Sequence, residues 1–220
     1  MKTNFIEISN KVQNDTRLAC MKFYENAELY ADRIHNNQLG KKIISQTDSL
    51  LFKFISVATN LEFLWQIHYL KQDNSELQKH TAEWQNNLSL TDLMYFENVI
   101  VQLRAFIDFA QKLCCLVLEY TKPIDGTKDF YKILAKNESQ KAREIESKFR
   151  EIMSQGSWGN SVKSIRDKII HYDIVKTKSE FKPTIQGKSY ERFCQDLEND
   201  MFVFLTELQP ILFEREWISG

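Results

Sequence analysis

Residues 92–120 read DLMYFENVIVQLRAFIDFAQKLCCLVLEY, and within them Leu93, Phe96, Ile100, Leu103, Ile107, Ala110, Cys114 and Val117 recur at three- and four-residue spacing. Such spacing returns side chains to the same side of an α-helix at every turn, so the stretch predicts a long helix with an unbroken apolar seam. A seam of this length needs other helices to cover it, which makes the segment the central column of a helical bundle. Lys122-Pro123 and Asp125-Gly126 close it.

The same period extends outward on both sides. Towards the N-terminus, Tyr24, Ala27, Ala31 and Ile34 place a first helix over about Asp15 to His35, ended by Asn36, Asn37 and Gly40. A second helix runs to about Lys71 with Leu50, Phe54, Val57, Leu61, Leu64 and His68 on one face. Asp73, Asn74 and Ser75 suggest a turn, Glu76 to Asn86 a shorter helix, and Ser89 and Thr91 the start of the central one.

Beyond the central column, a short helical piece is expected around Phe130 to Ala135. A charged helix follows with Ala142, Ile145, Phe149 and Ile152 inward, closed by Gly156 and Gly159. From about Ser157 another helix carries Trp158, Val162, Ile165 and Ile169 towards the core. Residues 174–188, with Lys176, Thr177, Ser179, Pro183 and Gly187, read as a loop or small hairpin. The last helix begins near Ser189 and presents Tyr190, Phe193, Leu197, Met201, Phe204, Leu208 and Ile211, with Pro210 expected to kink or end it.

Composition agrees with an all-α reading. The 220 residues are 43% hydrophobic, enough for one sizeable core, and six glycines with three prolines are too few for the turns of a β-rich fold. One helical domain over 1–220 is expected, with 1–89 an N-terminal helical extension and 90–220 the core. No run approaches the roughly eighteen apolar residues of a spanning helix, and the start of the chain, with Glu7 and no apolar core stretch, is not a signal peptide; a cytoplasmic protein without membrane contact is expected. Cys20, Cys114, Cys115 and Cys194 lack metal-site spacing and read as reduced packing residues, while His35, His68 and His80 share no ligand spacing, so neither metal nor cofactor is expected. The formal net charge is -1, yet Tyr120 to Arg192 holds sixteen Lys or Arg against ten Asp or Glu, a local basic surplus that solvated lysines could equally produce.

The tight cluster of His, Arg and Asp is Arg166, Asp167, Lys168 and His171, followed by Tyr172 and Asp173. Read blandly, Arg166 and Asp167 are surface charges and His171 a residue favoured by the helix C-terminus. The functional reading rests on position, because Ile169 and Ile170 would anchor the cluster at a helix end. Positions five apart on a regular helix diverge by about 140°, so Arg166 and His171 meet only if the helix deforms near Ile170 or if two subunits contribute. Arg104 and Asp108, near Glu97 on the central helix, read as an intrahelical ion pair or as polar lining of a cleft.

The stretch RDKIIHYD resembles the Arg-x4-6-His signature of the HEPN superfamily. That resemblance implies a HEPN-type helical bundle with additional N-terminal helices and an insertion around 174–188. It also implies a homodimer in which two motifs face one composite cleft, and metal-independent cleavage of RNA in a toxin–antitoxin, abortive-infection or other antiviral-defence setting, restrained by an antitoxin or another regulatory partner. In the subset of toxins silenced through a tyrosine two places after the His, that tyrosine is modified; here position 173 is Asp and Tyr172 adjoins the His.

Without a metal, RNA cleavage needs a base for the 2′-hydroxyl proton, an acid for the leaving 5′-oxygen and positive charge on the phosphorane. His171, whose side-chain type titrates at about 6.5, suits the first two roles, and Asp167 could orient its imidazole. Arg166 would grip phosphate oxygens with its planar fork. Lys163, Lys168 and Tyr172 are the candidate RNA contacts. The alternative expectation is a HEPN-like RNA-binding or protein-interaction module without catalysis.

Overall fold

The computed structural model describes the backbone of residues 2–72, 82–171, 184–185 and 188–214, and the side chains of 15–64, 94–166 and 196–214. Among these the elements follow as α1 (Lys2–Arg33), α2 (Asn37–Gln72), α3 (Ala82–Val117), α4 (Gly126–Lys136), α5 (Gln140–Met153), α6 (Trp158–His171), β1 (Thr184–Ile185), β2 (Lys188–Ser189) and α7 (Tyr190–Gln209), then a π-helical turn over Pro210–Glu214. The fold is all-α. No helix among the described residues is long and apolar enough to cross a membrane.

The seam from Leu93 to Val117 lies in α3, the column of the bundle. Phe96, Ile100, Leu103, Ile107, Ala110, Cys114 and Val117 are all buried, and so are Val99, Phe106 and Leu113 beside them. α3 is therefore covered on more than one stripe. α2 packs along its length, while α6 and α4 cover another flank. Polar groups fix the register with α2: Lys53 Nζ donates to Gln102 Oε1 at 2.9 Å, Asn98 Nδ2 to Asn60 Oδ1 at 2.9 Å, and Gln46 Nε2 to the Phe109 carbonyl at 3.0 Å.

An aromatic hub ties the remaining helices to this column. Phe204 of α7 meets Phe106 of α3 at 6.0 Å, Phe149 of α5 at 5.4 Å and Trp158 of α6 at 5.9 Å, each edge-on. Phe149 in turn meets Phe130 of α4 at 4.7 Å. Edge-to-face packing suits the ring quadrupoles and adds roughly 0.5–1.5 kcal/mol per pair to the burial itself. The inward residues expected for α5, Ala142, Ile145, Phe149 and Ile152, are all buried.

Several boundaries differ from the sequence reading. α1 begins at Lys2 rather than near Asp15, because residues 2–14 contain neither Gly nor Pro. Gly40 lies inside α2, where a Cβ would stand 3.1 Å from the Ala31 carbonyl oxygen; it permits the crossing of α1 and α2 rather than ending a helix. The break belongs to Asn36, whose Oδ1 accepts from the amides of Gln38 and Leu39, both at 3.1 Å. Ser89 and Thr91 do not open a helix, since α3 already runs from Ala82; their weak helix propensity costs only fractions of a kcal/mol against a helix propagating from both sides.

α3 ends at Val117, before Tyr120. Glu119 takes φ 62°, its amide donates to the Leu116 carbonyl at 2.9 Å and the Tyr120 amide to that of Cys115 at 2.8 Å, which is a Schellman closure with Glu where Gly is usual. Gly159 sits in the first turn of α6, where a Cβ would approach the Ile152 carbonyl oxygen to 2.5 Å; it lets α6 cross the end of α5. Pro210 ends α7, as expected, and opens the π-helical turn over Pro210–Glu214, consistent with its missing amide. A short antiparallel hairpin pairs Thr184 with Ser189 and Ile185 with Lys188, at the edge of the expected 174–188 insertion. The turn expected at Asp73, Asn74 and Ser75 lies outside the described residues.

Candidate functional site

α3 carries a polar line within its apolar seam. Arg104, Asp108 and Gln111 are spaced four and three apart, so they share one side of the helix, and this is the flank that α6 and α4 cover. On α6, Trp158 and Val162 are buried, and Arg166 follows Val162 by one turn of four residues. Arg166 thus continues the inward line of α6. It lies half-buried, close enough for its charge to act on the Asp108 carboxyl.

Thr127, in the first turn of α4, completes the cluster. Its Oγ1 accepts from Arg104 Nη2 at 3.2 Å and from Gln111 Nε2 at 3.3 Å, and Gln111 is fully buried. Arg104 Nη2 also stands 2.8 Å from Asp108 Oδ1. That pair is close but lacks hydrogen-bond alignment, so Asp108 Oδ1 remains a buried acceptor without a hydrogen bond, and Arg104 Nη1 a buried donor without one, among the described residues. Burial pushes the Asp108 carboxyl above its ordinary value, while Arg104, Lys112 and Arg166 pull it back.

The structure brings Arg166 to the Arg104–Asp108 pair. Of the two sequence readings of that pair, the intrahelical ion pair is the one observed. Lys163 is exposed on α6. The side chains of Asp167, Lys168 and His171, and all of Tyr172, lie outside the described residues. The backbone of α6 is helical through His171, so the deformation considered near Ile170 is not found. Gln111 and Thr127 are additions to the sequence-derived set; the available signal was a glutamine seven residues after Arg104 in an otherwise apolar seam.

Elsewhere, a cavity of about 230 Å³ between α5, α6 and α7 is lined by Glu151, Asp196, Asp200 and Glu207 around Lys148, whose Nζ holds Glu151 and Glu207 at 2.8 Å each. Its acidic wall would repel a phosphate backbone. Cys20, Cys114 and Cys115 are free and buried, and burial raises the Cys20 thiol to about 11 and the Cys115 thiol to about 12, so they stay protonated at neutral pH. Among the described residues no group of three His, Cys, Asp or Glu converges as a metal site would require. No family model, curated protein or solved structure matches the chain.

Proposed function

We propose that this protein is a cytoplasmic, HEPN-type endoribonuclease that cleaves RNA without a metal, through a site composed from two copies of Arg166 and His171, as a toxin or antiphage effector under a regulatory partner. One observation carries the reading. Arg166 is half-buried on α6, within reach of the Asp108 carboxyl, and a partly buried arginine of this kind is restricted in orientation as a phosphate-gripping one needs to be.

Two subunits are part of the proposal because α6 stays helical, and a regular helix separates positions five apart by about 140°. The surface of α3 supports this. Met94, Val101 and Asp108 are seven apart in turn and so run in one line, whose first two members are large, apolar and exposed at 69% and 45%. Phe52, Ile55 and Phe63 of α2 are exposed nearby, Phe63 stacking on Tyr95 of α3 at 5.1 Å. A two-fold axis sets each residue near its own copy, so the exposed apolar side chains suit self-association, which would lead the two Asp108–Arg166 clusters towards one cleft.

The test is the cleavage of mixed RNA by purified protein in EDTA, beside His171→Ala. Expected are fragments ending in 2′,3′-cyclic phosphate from the wild type and none from the variant. Cleavage abolished by EDTA, or equal cleavage by both proteins, would overturn the reading.

A further inference from the structure

We infer that the π-helical turn over Pro210–Glu214 is a clasp on α1 and α5 whose grip depends on the charge of Lys141, the side chain over which it closes. The inference stands apart from the ribonuclease reading and rests on how Lys141 is seated.

Three elements meet at that side chain. Lys141, in the first turn of α5, donates from Nζ to the Leu212 carbonyl of the π-helical turn at 3.2 Å and stands 4.9 Å from the centre of the Tyr30 ring of α1. The fully buried Cys114 of α3 lies near enough to act on its charge. The turn holds on through its other residues as well. Phe213 meets Phe23 edge-on at 5.3 Å and Tyr30 at 5.6 Å, and Glu214 Oε1 accepts from Asn26 Nδ2 of α1 and from Gln209 Nε2, each at 2.7 Å. Five residues near the end of the described chain thereby tie the first helix to α5.

This seat suits an amine better than an ammonium. Among the described residues no carboxylate pairs with Lys141: Glu214 is taken by the two amides, and neither Glu138 nor Glu144, its neighbours in sequence, acts on it. The other titratable groups that face it are neutral at neutral pH. Tyr30 donates its hydroxyl to the Val117 carbonyl at 3.3 Å, and burial, aided by the charge of Glu119, raises its phenol; burial also raises the Cys114 thiol. One carbonyl and one ring face return only part of the hydration that a buried ammonium gives up. Burial accordingly pulls the Lys141 amine down from 10.5 to about 8.

With the turn released, Lys141 meets water and regains its ordinary value, so closing the clasp expels a proton between about pH 8 and 10.5. Below that window Lys141 is charged whether the clasp is open or closed, and the grip is constant and at its weakest. The grip tightens as pH rises through the window. At neutral pH the clasp is therefore in its looser state and opens locally, ahead of the core, freeing Phe213 from Phe23 and Tyr30.

The experiment is hydrogen–deuterium exchange read by mass spectrometry on the full chain at pH 7.5 and 9.0, each rate divided by the intrinsic rate at that pH. Wild type, Lys141→Met and Lys141→Arg are compared, with a peptide over 208–216 reporting the turn and one over 100–110 reporting α3. Cys20, Cys114, Cys115 and Tyr30 titrate alike in all three proteins, so the comparison isolates Lys141. In the wild type the turn is expected to be less protected than α3 at pH 7.5, and its protection to rise about fivefold or more by pH 9.0 relative to both variants. Lys141→Met has no proton to lose and Lys141→Arg keeps its charge throughout, so either variant alone suffices for the comparison if the other does not fold. A wild-type rise no larger than that of a folded variant, or a turn as strongly protected as α3 at pH 7.5, would overturn the clasp.

Discussion

α3 has two buried flanks that differ in kind. On one, Phe106 reaches Phe204, and through it Phe149 and Trp158, so that apolar surface meets apolar surface with matched ring geometry. On the other, Arg104, Asp108 and Gln111 face α4 and α6, and two of their polar atoms are buried without hydrogen bonds. Stability alone favours the first arrangement, because buried charge in an incompletely paired network costs more than the apolar packing that could replace it. One flank of α3 is thus completed by packing, while the other keeps polar atoms unpaired.

The comparison can be broken from its apolar side. Phe204→Ala removes the ring that joins α3, α5, α6 and α7, and is expected to lower the unfolding free energy by about 3–5 kcal/mol, read by urea denaturation. A loss under about 1 kcal/mol would mean that the hub is not what positions α6. On the polar side, Gln111→Leu keeps the volume but removes the amide that bonds Thr127 Oγ1 at 3.3 Å, and a smaller loss of about 1–3 kcal/mol is expected in the same titration. If the leucine variant were more stable than the wild type, the polar flank would be shown to work against the fold, which sharpens its assignment to function.

How much of this was legible in the sequence follows the same division. The apolar seams of α3, α5 and α7 could be read because burial on one side of a helix leaves a period in the chain, and Phe96 to Val117, Ala142 to Ile152 and Leu197 to Ile211 are buried as that period requires. Helix ends were read less well. Gly40 and Gly159 resemble breakers in sequence but serve close helix crossings, a tertiary cause with no local signature. The left-handed Glu119 that closes α3 is equally silent, since Gly would be the expected residue there.

Of the cluster around Asp108, the Arg104–Asp108 pair was legible from its spacing of four, whereas Arg166 was singled out for a different reason, its place in RDKIIH. Their meeting was not, because it depends on how α6 crosses α3. Thr127 belongs to the same cluster from sixteen positions beyond Gln111, and no periodic signal links two residues on separate helices.

The central claim is that Arg166 serves RNA cleavage rather than the fold, and the measurement that meets it most directly is the single-turnover rate of RNA cleavage in EDTA by Arg166→Ala beside its melting temperature. Loss of one preorganised donor to the reacting phosphate predicts a rate reduced about a hundredfold or more, whereas loss of one half-exposed ion pair predicts a stability change under about 1 kcal/mol. An undiminished rate, or a rate that falls only in step with unfolding, would contradict it.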